Sequence, residues 1–316
     1  MKRDVVEILK RGFDSALANW QLIAIHVGAA FVMVMVTILG ALAMLVPILV
    51  SVGVKLASLK SPEQWSGLLQ GLVTKWMLLV WLAVGVTILL TIVTAIYAAT
   101  AAGAARIFAD AERAAGPGAI GPRSRFAAFR MDRWISGVKE GWWPVFWMYN
   151  IAWAAALVIV LIPLLATGLL MFLFRNVEPA LVGIGCIGVL IALLLFFLLA
   201  IATGIVLMRA IAEWAVRGEG ARGSLANAWQ AVRRDFARHV LVALALIVIS
   251  IALSSAFASV NFFSGMMQGM GRQAPMLALV LLPLRLVMSI VSTIFSAAVT
   301  SWYQASFTAL AVEDRG

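Results

Sequence analysis

One cysteine, two histidines and fourteen carboxylates are all the sequence offers of the side chains from which catalytic and metal sites are commonly built. Cys186 falls in an apolar run, so a disulfide framework and a thiolate cluster are both excluded, and the redox compartment stays open. His26 and His239 have no carboxylate or cysteine at ligand spacing, which argues against a metal site. His26 reads as a packing or interfacial residue, and His239, after Arg233, Arg234 and Arg238, as a surface contact. No carboxylate sits near the middle of an apolar run, so the usual proton carrier of ion-coupled pumps is missing. Gly183, Gly185 and Gly188 lie in an apolar stretch rather than after a strand, and read as helix-packing positions, not a phosphate loop. From this inventory we expect no catalytic residues, no cofactor and no bound metal, hence a protein that is not an enzyme.

What the chain has instead is apolar length. It is 64% hydrophobic and 12% charged, with a mean hydropathy of +1.03, against roughly 25% charge in soluble domains. Leu22 to Val50, Trp76 to Ala105 and Leu181 to Met208 each exceed the roughly 20 apolar residues that cross a bilayer. Spans are expected at about Gln21 to Ile48, Lys75 to Ala105, Pro144 to Phe174, up to Arg209, Val240 to Phe263 and Leu284 to Ala309. The fold class is therefore all-α: a polytopic membrane bundle of about six transmembrane helices in three hairpins. Each hairpin is preceded by an amphipathic interfacial helix.

The first of these helices pairs Lys2, Arg3, Lys10 and Arg11 with Val6, Leu9, Phe13 and Leu17 at three- and four-residue spacing. No cleavage of this segment is expected, since the apolar run behind it is too long for a secretory signal. A polar break from Ser51 to Thr74 is read as room for a short helix, and Arg175 to Pro179 as a tight turn. The second amphipathic helix follows the Gly116-Pro117-Gly118 and Gly121-Pro122 breaks and carries Arg130, Arg133 and Lys139 beside Phe126, Phe129 and Trp134. The third runs from Ser224, read as its N-cap, to His239. Arg130, Arg133, Lys139, Arg233, Arg234 and Arg238 are the candidate contacts to lipid headgroups, and Trp142, Trp143 and Trp147 a depth-setting aromatic belt.

The units recur over 1–116, 117–220 and 221–316 within a single membrane domain. Arg106-Ile107-Phe108-Ala109-Asp110 aligns with Arg209-Ala210-Ile211-Ala212-Glu213, and Ala309-Leu310-Ala311-Val312-Glu313 is a weaker third copy. In the first two an arginine precedes an acid by four residues, on one helical face. The formal charge of +10 could indicate nucleic acid, but 18 of the 24 Lys and Arg lie at the termini and in the 106–142 and 209–239 segments, flanking spans. The asymmetry predicts both termini and these segments in the cytoplasm of a bacterial inner membrane, with anionic lipids and other membrane proteins, not nucleic acid, as partners.

One further feature is a polar face on the sixth span, where Arg285, Ser289, Ser292, Ser296 and Thr300 recur at intervals of three and four. Thr87, Thr91 and Thr94 form a smaller counterpart in the second span, and Ser250 and Ser254 in the fifth. Such hydroxyls commonly serve helix packing; the alternative is a path for a lipid headgroup or small solute. Pro283 is read as a break that leaves Arg285 near the outer interface, free to snorkel.

An amphipathic helix with an Ala/Trp-rich face before a hairpin, as in Ser224-Leu225-Ala226-Asn227-Ala228-Trp229, resembles that of bacterial six-span proteins of the YciC type and of the membrane domain attached to some glycerophosphoryl diester phosphodiesterases. The resemblance rests on architecture over the whole chain and implies envelope or lipid-related accessory roles. No catalytic residue carries over, because the soluble phosphodiesterase domain is absent from this sequence. The function expected is that of a non-catalytic inner-membrane protein in envelope or lipid homeostasis, or accessory to other membrane proteins; the alternative is a transporter or permease component.

Overall fold

A computed structural model describes residues 3–52, 76–116, 123–173, 180–270 and 275–314. Among the described residues the chain is α-helical throughout apart from a 3-10 turn and short connections, with no strand. The polar break at 53–75 and the turn at 174–179 lie outside the described residues.

The short helix α1 (Val5–Ala18) opens with Asp4, whose carboxylate accepts from the Glu7 backbone N–H at 2.7 Å, satisfying one of the free donors of the first turn. Then come α2 (Gln21–Val52), α3 (Trp76–Ala115), the 3-10 turn Arg123–Phe126, α4 (Met131–Leu173) and α5 (Ala180–Arg217). The chain ends in α6 (Ala221–Arg234), α7 (Phe236–Met270) and α8 (Pro275–Glu313). Among the described residues five helices are long and apolar enough to cross a membrane, and six if the bent pair α6–α7, with its 98° break, counts as one span. The chain is an all-α, multi-pass membrane protein.

Helix length explains how a membrane protein also acquires a polar core. At 1.5 Å per residue the 40 residues of α3 and 38 of α5 rise close to 60 Å, about twice the hydrocarbon thickness. The surplus protrudes as tails, and the tails carry the burial. In α3 the buried positions begin at Ala98, whereas Trp76, Val80, Val84, Ile88 and Ile92 are exposed. In α5 the belt Leu190 to Leu198 is largely exposed while Arg209 to Val216 is buried. The apolar belts are left for lipid, and the polar ends are packed against protein.

The helices fall into two compact units. One, residues 25–97, is the antiparallel hairpin of α2 and the first half of α3. A Cβ at Gly40 would lie 2.9 Å from Leu89 Cδ1, and one at Gly85 would meet the Met44 side chain, so glycine sets the approach on both sides. The Thr87 and Thr91 hydroxyls donate to the Ala83 and Thr87 carbonyls of their own helix. The other unit holds residues 3–24 and 98–314, in which α4 packs on α5, α7 on α8, and α1 on α8.

Three expected boundaries are corrected. The third amphipathic helix ends at Arg234 rather than His239, where the chain bends by 98° into α7. The second amphipathic segment is not a separate helix, because α4 runs unbroken from Met131 through Pro144; its first three turns are the amphipathic part. Ser224 is not the N-cap of α6. The helix starts at Ala221 behind Gly220, the Ser224 N–H already donates to the Gly220 carbonyl, and its buried hydroxyl donates to the Glu219 carbonyl at 3.3 Å. A backbone at φ −67°, ψ 170° suits the cap position, and Gly220 fills it.

Candidate functional site

The tails of α3, α5 and α8 meet within the larger unit and are joined by charges. Arg209 of α5, fully buried, donates to Glu213 Oε1 one turn on (2.6 Å) and reaches Asp314 at the end of α8 (2.6 Å). Arg106 of α3 donates to the Ala215 carbonyl of α5 at 3.0 Å, and Arg113 to the Val216 carbonyl at 2.9 Å. These carbonyls are among the last of α5, where a helix has free acceptors and a negative dipole end, so a guanidinium is favoured there. The expected Arg-to-acid pair four residues apart forms in α5. In α3 it does not: Asp110 binds Arg133 of α4 (2.6 Å), while Arg106 turns to α5 and lies 3.5 Å from Glu140.

The third tail has Ala309 where the others have arginine, and its Glu313 is held instead by Arg238 of α7, while the N-terminal segment brings two cations to Glu112 of α3. Arg3 Nη1 and Arg11 Nη2 approach Glu112 Oε1 at 2.8 and 2.7 Å, and Arg11 also donates to the Gly116 carbonyl that follows α3. Gly116 and Gly218, with φ of +70° and +72°, are the left-handed residues that end α3 and α5. At the same level Arg238 Nη2 donates to Glu313 Oε2 (2.6 Å) and the Arg3 carbonyl (2.6 Å), and the Arg3 N–H donates to Glu313 Oε1 (2.6 Å). Arg217 Nε lies 2.7 Å from Glu213 Oε2 at an angle that makes it a charge contact rather than a hydrogen bond.

Close backbone approaches clamp this collar of helix ends. A Cβ at Gly12 of α1 would stand 2.9 Å from the Ser306 Cα of α8, and the Trp302 indole donates to the Leu9 carbonyl at 2.7 Å. Gly137 and Gly141 of α4 lie against Arg106 and the Trp214 ring. Asn19, fully buried, donates to the Ser15 and Phe126 carbonyls and accepts from the Ala128 N–H, tying the α1–α2 turn to the segment ahead of α4.

The expected headgroup contacts divide between the two faces of this collar. Arg130 is 75% exposed and, among the described residues, paired only with Asp132, and Lys139 and Arg233 are exposed. Arg234 is 63% exposed and lies 3.4 Å from Asp314. Arg133 is half-buried on Asp110. Arg238 turns inward, since both Glu313 and the Arg3 carbonyl hold its guanidinium. Around them the outward side of the collar carries Val6, Phe13 and Trp20 of the first segment, Met131, Trp142 and Trp143 of α4, and Trp229 and Phe236 at the α6–α7 corner.

On the sixth span, α8 begins at Pro275 and continues through Pro283, so the expected break is not made. Arg285 lies ten residues along the helix, a rise of about 15 Å; its side chain falls outside the described residues. Ser289 and Ser296 are exposed, and Ser292 and Thr300 are partly so. Thr300 spends its hydroxyl on the Ser296 carbonyl (2.9 Å). Below this stripe α8 becomes buried and polar at Ser301, Gln304, Ser306 and Thr308. Neither end of the Gln304 amide has a hydrogen-bond partner among the described residues, nor do the Ser301 and Ser306 hydroxyls or His239 Nε2.

Sequence reasoning put Arg3 and Arg11 on the cationic face of an interfacial helix, whereas both turn inward to Glu112, and it missed Glu112, Asn19 and Gln304. Acids at the ends of spans are so scarce that Glu112, Glu213 and Glu313, about a hundred residues apart, were a signal available to it. Among the described residues no group of three or more His, Cys, Asp or Glu is placed to hold a metal ion. No family model, curated protein or solved structure matches the chain.

Proposed function

We propose that this is a non-catalytic protein of a bacterial inner membrane that serves envelope or lipid homeostasis by holding an ordered collar against the anionic cytoplasmic leaflet, directly or as accessory to other membrane proteins. One observation carries the reading. The collar's inward charges are matched by carboxylates and helix-end carbonyls, while its outward side pairs aromatic side chains with cations that have no acidic partner among the described residues, Lys10, Lys139, Arg222 and Arg233. Each cation near an anionic leaflet is worth about 1 kcal/mol, and tryptophan belongs at headgroup depth. Anionic lipids are the partner this chemistry selects, in keeping with the resemblance to six-span envelope proteins.

The test is lipid analysis of the chain extracted from the membrane with its surrounding bilayer by an amphipathic copolymer. Enrichment of anionic lipids over the bulk membrane is expected, falling when Lys139, Arg222 and Arg233 are all changed to Gln. A lipid composition equal to the bulk would refute the reading.

The second reading, a transporter or permease component, draws on the Gln304 amide and Ser301 hydroxyl, buried below the hydroxyl stripe of α8 and without a hydrogen-bond partner among the described residues. Solute uptake into proteoliposomes that Gln304→Leu abolishes would favour it over the first.

A further inference from the structure

At the corner where α6 turns into α7, a cavity of about 170 Å³ opens against the tail end of α5. Ala202, Ile205 and Val206 form its α5 wall, and Trp229, Val232 and Phe236 the opposite one. All six are apolar in contact, and Arg233 stands among them as the single charged residue of the lining. Arg233 is exposed and makes no ion pair among the described residues, in contrast to its neighbour Arg234, which leans toward Asp314.

We propose that this groove is a binding site for one anionic glycerophospholipid, an acyl chain lying between α5 and the α6–α7 corner with the phosphate held by Arg233. The inference rests on the collar's contact with anionic lipid and narrows it to one site. Three observations select the occupant. The volume is below the roughly 300–1,000 Å³ of sites that enclose a whole small ligand, so the cavity suits part of a chain whose remainder stays in the bilayer. Its α5 wall belongs to a membrane-spanning helix, and the 98° bend lays α6 across the end of α7, so apolar wall and cation meet where chain and headgroup meet. The charge is complementary: a guanidinium presents a planar fork to a phosphate, and beside it stands the exposed ring of Trp229, a residue type that favours the headgroup region.

Native mass spectrometry of the full chain in detergent, titrated with phosphatidylglycerol or with phosphatidylcholine of the same acyl chains, tests the site. Phosphatidylglycerol should bind about tenfold more tightly, the scale of a charge-assisted contact. Arg233→Gln should erase that preference, and Ala202→Trp, which fills the groove from an exposed rim position, should weaken both lipids. Arg125→Gln, in the 3-10 turn ahead of α4 and outside the groove lining, should change neither. Glycerol phosphate, which lacks chains, should not compete; competition by it would mean a plain anion site and overturn the proposal. Retained preference in Arg233→Gln together with unaltered binding in Ala202→Trp would also overturn it, while leaving anionic enrichment around the whole chain untouched.

Should either variant lose folded protein, quenching by brominated-acyl phosphatidylglycerol decides. The quenching lost in Trp229→Phe should exceed that lost with brominated phosphatidylcholine, and equal losses count against the site.

Discussion

Glu112 illustrates what a scarce acid does in a basic chain. Two guanidiniums, Arg3 and Arg11, converge on one of its oxygens, and both Arg11 and Glu112 are almost fully buried. Removing one partner of a buried pair strands the other, at a cost of about 3–5 kcal/mol. Glu112→Ala should therefore lower the thermal midpoint of the detergent-solubilised protein sharply, with Glu112→Gln intermediate. The exposed pair Arg130–Asp132, in which Arg130 is 75% exposed, is screened by solvent and contributes little, so Asp132→Ala should leave the midpoint almost unmoved. Equal effects of the two alanine variants would sink the distinction between a locked inner face and a free outer one. Asp110, aligned with Glu213 by spacing, turns to Arg133 of α4, and Glu112, two residues on, is the acid directed at α1. Two residues on a helix turn a side chain by more than half a circle, and no pattern of charge alone says which face will find a partner.

Among the elements, hydropathy made the spans legible because a bilayer demands about 20 apolar residues whatever the helices pack against. Their ends were less legible. Gly141-Trp142-Trp143-Pro144 reads as a boundary, yet α4 passes through it, and Gly141 is there because the Trp214 ring of α5 occupies the space a side chain would need. Likewise Gly12 admits Ser306 of α8 to within contact of the α1 backbone. Gly12→Val and Gly141→Val should each destabilise by about 1–3 kcal/mol, the cost of overpacking, whereas Gly28→Ala, with nothing within 4 Å, should be close to neutral. Melting of the three variants in one detergent checks the order; a Gly28 variant as unstable as the other two would contradict it. Helix α6 has its own test. A peptide from Gly220 to Val240 should turn helical on anionic vesicles and lose affinity as salt rises, since Arg222, Arg233 and Arg234 are all exposed along it. A peptide that stays disordered there would separate α6 from the lipid-binding account.

At the scale of the molecule, membrane residence is fixed by composition, whereas the collar could not be read from the sequence. It depends on which helix ends meet, and those meetings are made by residues a hundred or more positions apart, such as Arg209 with Asp314 and Arg11 with Glu112. The hydroxyl stripe of α8, conspicuous in the sequence, holds exposed positions at Ser289 and Ser296, and the buried polar groups that lack a partner among the described residues, Ser301 and Gln304, lie further along the helix. The central claim is that the ends of α3, α5 and α8 form one collar on the cytoplasmic face. Reporter fusions test it most directly: those after Gly116, Gly220 and Gly316 should all report cytoplasm, and those at Ser61, Asn176 and Gln273 the opposite side. A far-side signal at Gly116 with a cytoplasmic one at Gly220 would put the α3 and α5 ends on opposite faces and contradict the account.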